Sequence, residues 1–137
     1  QKLQEEQDRV KAIKDDLSSK TASLNKLAKE TKDASDIPSL ESKLAALGAL
    51  ITTSKELETT LSSDKSKDSF EVEFDTFKDA LKAAIKEQTE SKTRLQALKD
   101  AKDALDRIVK EALQQADNAL EEAENNKNSE DKAKLTE

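Results

Sequence analysis

Apolar residues in the first quarter of the chain recur at Leu3, Val10, Ile13, Leu17, Leu24 and Leu27. The gaps are 7, 3, 4, 7 and 3, and such spacing keeps one face of an α-helix apolar as an a/d heptad stripe. The pattern predicts a first helix over about residues 2–33. Glu5 with Arg9 and Asp16 with Lys20 are acid-before-base pairs at i,i+4, suited to its exposed side.

The stretch ASDIPSLESKL, residues 34–44, interrupts the stripe. Pro38 is barred from a helix interior but suits a first turn, with Ser35 or Asp36 as the cap. A second helix then presents Leu40, Leu44, Leu47, Leu50, Ile51, Leu57 and Leu61. Leu44 and Ile51 widen the stripe, so this helix is expected to touch two neighbours. Gly48 inside it costs about 1 kcal/mol relative to Ala and reads as a close helix–helix approach.

The next break is SSDKSKDSF, residues 62–70, where Asp68 and Glu71 have capping-box spacing and predict a third helix from near Ser69. From Phe70, Phe74, Phe77 and Leu81 the heptad register runs through Ala84, Gln88, Ser91, Leu95, Leu98, Lys102, Leu105 and Val109 to Ala123. KEQTESKTRL, residues 86–95, is a polar interval between apolar halves, and a break near 88–93 would give an up-down four-helix bundle. An unbroken phase disfavours that, because a turn normally resets it. The expectation is therefore all-α: an antiparallel three-helix bundle of long heptad helices with an extended third helix. At ~1.5 Å per residue that helix would reach roughly 80 Å, against about 40 Å for the second. Residues 1–97 form the three-helix part and 98–137 the continuation, the possible start of a second repeat. NNKNSED, residues 125–131, reads as its end, with Glu121, Glu122 and Glu124 opposing the helix dipole and favouring a frayed acidic tail.

Composition narrows the picture. Charged residues make up 39% of the 137 and aromatics 2%, with one Gly and one Pro, which suits helices and little else. The net charge of −6 argues against nucleic acid, since phosphate binding needs clustered Lys and Arg. Residues 1–36 balance eight basic against eight acidic side chains, whereas 101–137 carry six basic and ten acidic. No apolar run approaches a membrane span of about 20 residues. The chain opens on Gln rather than Met and so reads as an excised or processed piece. Zero Cys leaves its compartment open, cytoplasmic or cell-surface.

Candidate chemistry is sparse, and no cofactor is implied. Without His or Cys, triads, thiol nucleophiles and ordinary zinc sites lose essential parts, so an enzyme is not expected. Adjacent carboxylates such as Asp15/Asp16 and Glu121/Glu122 point about 100° apart on a helix and do not converge. Asp64, Ser66, Asp68 and Asp75 fall at positions 1, 3, 5 and 12 of a calcium loop, but Ser69 stands where such a loop needs Gly. Gln88, Ser91 and Lys102 read as register-setting polar positions in a seam. Mixed charge and the lack of Trp argue against a lipid-binding face. The overshoot leaves Leu98, Leu105, Ile108, Val109, Leu113 and Leu120 as a candidate seam for a protein partner or for self-association.

The Leu3/Val10/Ile13/Leu17/Leu24 seam, the break DIPSLESKL and the run FEVEFDTFKDALKAAIKEQTESKTRLQALKDAKDAL together resemble a spectrin-type repeat. In that family the last helix of one repeat continues into the first helix of the next. A shift of 95 residues lays Leu3, Val10, Ile13, Leu17, Leu24 and Leu40 over Leu98, Leu105, Ile108, Ala112, Ala119 and Leu135. Such repeats carry Trp in the core, and here Phe74 and Phe77 would have to substitute. The resemblance implies a helical spacer or scaffold of a cytoskeletal or membrane-linking protein. Two other readings remain open: an extracellular three-helix module of a bacterial surface protein binding a host protein, and a stress-type amphipathic helical protein.

Overall fold

The structure is a computed structural model that describes residues 2–136, with side chains described for 2–129. Three α-helices follow in order: α1 (Lys2–Asp33), α2 (Ile37–Ser62) and α3 (Glu71–Thr136), with a one-turn 3₁₀ helix at Lys67–Phe70. No strand occurs among the described residues. The chain divides into two units, Gln1–Gln96 and Ala97–Glu137.

The first unit is the helical bundle. Asp36 caps α2, its carboxylate accepting from the Ser39 amide at 2.8 Å, and Pro38 sits in the first turn where its missing N–H costs nothing. α1 and α2 run in opposite directions. Arg9 near the start of α1 reaches Asp64 beyond the end of α2, and Glu30 near the end of α1 meets Lys43 near the start of α2 at 3.0 Å. Gly48 of α2 faces Gln88 of α3, so α2 also lies against the third helix.

The stripes meet as their spacing requires. Leu17 and Leu24 of α1, Leu47, Ile51 and Leu61 of α2, and Phe74, Phe77 and Leu81 of α3 form one buried cluster with Phe70. Ile13, Leu27, Leu50, Leu57 and Ile85 pack against its margin. Each large side chain taken from water contributes about 1.5–3 kcal/mol, so this cluster is the main stabilising term. Phe70 meets Phe74 edge-on at 6.0 Å, Phe74 stacks on Phe77 at 6.4 Å, and Lys78 Nζ lies 4.7 Å from the Phe74 centroid. Three phenylalanines on successive turns thus supply the aromatic mass of the core.

KEQTESKTRL is helical throughout, which removes the four-helix alternative with a break near 88–93. Ser91 is fully buried and donates to Glu87 Oε2 at 2.6 Å, satisfying its hydroxyl inside the seam. An added Cβ on Gly48 would stand 3.3 Å from Gln88 Nε2. The glycine therefore lets α2 approach close enough to cover a polar seam residue.

Several expectations are corrected. Leu3 is 71% exposed, because Arg9, two turns later, is already level with the loop after α2. Arg9 pairs with Glu6 rather than Glu5. Asp68 lies within the 3₁₀ turn instead of capping, and α3 starts at Glu71 rather than near Ser69. Asp64 shapes that connection: its carboxylate accepts from the Ser66 amide at 2.8 Å, an Asx turn that reverses the chain. α3 does not end at 125–131 but continues to Thr136. Leu135, which the 95-residue shift used, lies outside the described side chains.

Candidate functional site

The second unit is α3 from Ala97 onward, described alone. Its described side chains are exposed almost throughout. Leu105 is 60% exposed, Ile108 58%, Val109 49%, Leu113 62% and Leu120 62%, while Leu98 is half-buried. Leu105, Val109, Leu113 and Leu120 therefore form an open apolar stripe with Ile108 on its flank, and Leu98 belongs to it only in part. A shallow groove of about 390 Å³ runs along Leu105, Val109 and Leu113, with Asp106, Lys110 and Asp117 at its margin.

This stripe departs from the heptad register beyond Val109. The heptads continue through Ala112, Ala116, Ala119 and Ala123, whereas the large side chains Leu113 and Leu120 fall one position later. Leu98, Val109 and Leu120 stand 11 residues apart. Eleven residues complete three helical turns with only about 20° of drift, so this spacing holds one face along a nearly straight helix. Lys102 is exposed and falls within the stripe as a polar member.

In the bundle, chemistry is concentrated in two arginine clamps that sequence patterning misses. Arg9 donates to Asp64 with both terminal nitrogens and to Glu6 with Nη2 and Nε, all at 2.9–3.2 Å, and Nη2 also donates to Ser66 Oγ at 2.8 Å. Ser66 Oγ in turn donates to Glu6. The guanidinium, followed by the Ser66 hydroxyl, holds the Glu6 carboxyl down at about 2, and Arg9 likewise lowers Asp64 and has its own pKa raised by them. The calcium-loop reading fails here. Asp64 is committed to Arg9, residues 67–75 are helical, and no cluster of three metal-ligating side chains exists among the described residues.

At the opposite end Arg94 donates to three carbonyls at the end of α1, Thr31 at 2.8 Å and Lys32 at 3.2 Å in its last turn and Ala34 just beyond it at 2.5 Å. A planar fork holds its donors in a fixed arrangement that spans several orphan carbonyls at once, whereas an ammonium offers three donors from a single point. The signal in the sequence was the choice of base: only Arg9, Arg94 and Arg107 are arginine among 24 basic residues.

A groove of about 580 Å³ between α2 and α3 is rimmed by Lys55, Glu58, Asp75, Lys78, Asp79 and Lys82. Its charges alternate in sign along solvated helix faces and converge on no common point. No described helix is long and apolar enough to cross a membrane. Comparison with protein-family models, curated proteins and solved structures finds no match.

Proposed function

We propose that the chain is a structural and interaction module, a non-enzymatic helical spacer or scaffold repeat of a larger protein of the cytoskeletal or membrane-linking kind. The observation that carries this reading is the continuity of α3. One uninterrupted helix supplies the third wall of the bundle and then an apolar stripe at Leu105–Leu120 that no described residue covers. A bundle clamped at both ends by Arg9 and Arg94 bears load along its helices, and an uncovered stripe recruits a partner helix by the helix-in-groove mode. The likeness of the three seams to spectrin-type repeats supports the same role.

Pulling single molecules from both termini tests the mechanical half. A spacer gives one cooperative, reversible unfolding step whose length gain matches residues 2–96. Gradual extension without a step refutes the role, because a chain that yields at low load transmits none.

A further inference from the structure

We propose that the occupant of the α3 stripe is a second copy of the same stripe, laid antiparallel about a two-fold axis at Val109. The inference rests on the docking reading above and names its partner. The stripe positions are Leu98, Lys102, Leu105, Val109, Leu113, Ala116 and Leu120, with gaps of 4, 3, 4, 4, 3 and 4. That series is the same read in either direction. Reversing one copy about Val109 therefore sets Leu98 against Leu120, Leu105 against Leu113 and Val109 against its twin. Lys102, the one polar member, falls opposite the small Ala116, where its stem has room to carry the charge outward. A parallel pairing would instead bring Lys102 onto Lys102.

The flanks agree with the reversed arrangement. At about 100° per residue, Asp106 and Lys110 lie on one side of the stripe and Ala101, Ile108, Ala112 and Ala119 on the other. A two-fold axis across the pair joins like flanks. It brings Lys110 of each copy within two residues' rise of both Asp106 and Lys110 of the other, so the twin lysines at the axis are flanked by two carboxylates, and it closes the alanine flanks against one another. The alanines allow close approach while the 11-residue spacing keeps both helices in contact. An isologous interface of this kind closes on itself and stops at two copies.

The test uses the full chain, which has no cysteine of its own. Sedimentation equilibrium should give a dimer. Val109→Glu, at a position exposed in one copy, should raise its dissociation constant about a hundredfold by setting two carboxylates in the central layer. Lys110→Glu should weaken it about tenfold, and the swap Asp106→Lys with Lys110→Asp should restore it. A mixture of Leu105→Cys and Leu113→Cys chains should oxidise chiefly to the mixed disulfide. Preferential 105–105 pairing would overturn the antiparallel register, and a monomer at all concentrations would overturn self-pairing. Either failure leaves the spacer reading to stand or fall on the pulling experiment, which does not depend on the stripe.

Discussion

Replacing Arg94 by Ala removes the clamp between the polar middle of α3 and the end of α1. Three carbonyls, at Thr31, Lys32 and Ala34, lose a charged donor. A hydrogen bond to a charged group is worth about 1.5–3 kcal/mol, but these carbonyls lie at a helix end where water can replace part of the loss. Loss of a cation at the α1 C-terminus adds about 0.3–1 kcal/mol, and the better helix propensity of Ala returns a few tenths. The net expectation is about 2 kcal/mol. With a urea slope of roughly 1–3 kcal/mol/M, the midpoint should fall by about 1 M while the slope stays unchanged. Urea titration followed by far-ultraviolet circular dichroism reads this directly. Arg94→Lys keeps the charge but not the fork and should recover less than half. A loss below about 0.5 kcal/mol, or full recovery with Lys, would refute the clamp and leave only a dipole effect.

Acid should test the other end. Glu6 and Asp64 titrate below their unfolded values, so the stability they contribute is complete above pH ~5 and is lost as pH falls, for Glu6 through about 2. Urea midpoints at descending pH should show that loss for the native chain and a shallower one for Glu6→Gln with Asp64→Asn; equal profiles would count against it. Ser54 Oγ is fully buried with no hydrogen-bond partner among the described residues, so Ser54→Ala should raise stability by about 1 kcal/mol in the same titration. Gly48→Ala should gain up to about 1 kcal/mol of helix propensity, because only the flexible amide of Gln88 stands in the way, whereas Gly48→Val should destabilise. Phe77→Ala should cost about 3–5 kcal/mol, as expected for a fully buried ring whose site cannot collapse.

Much of the fold was legible because heptad spacing reports burial directly. Leu17, Leu24, Leu47, Phe74, Phe77 and Leu81 were named by period alone and all lie in the core. The Pro38 break and the Asp36 cap were equally readable, since each rests on a local backbone requirement. Contacts distant in sequence were not. Nothing in the local pattern of SSDKSKDSF says that Asp64 will meet Arg9, and the spacing of Asp68 and Glu71 pointed to the wrong cap. Leu3 kept the period yet stays largely exposed, because periodicity tells which face is apolar and not where the partner helix stops. The stripe on α3 was legible as a set of residues. Its 11-residue spacing was obscured by alanines that continue the heptad while the large side chains leave it.

The reading stands on α3 being one unbroken helix from Glu71 through the apolar stripe. Backbone chemical shifts with sequential amide contacts across residues 84–105 measure this residue by residue. Helical values are expected at every position, KEQTESKTRL included. Two or more consecutive non-helical residues between 86 and 95 would contradict it.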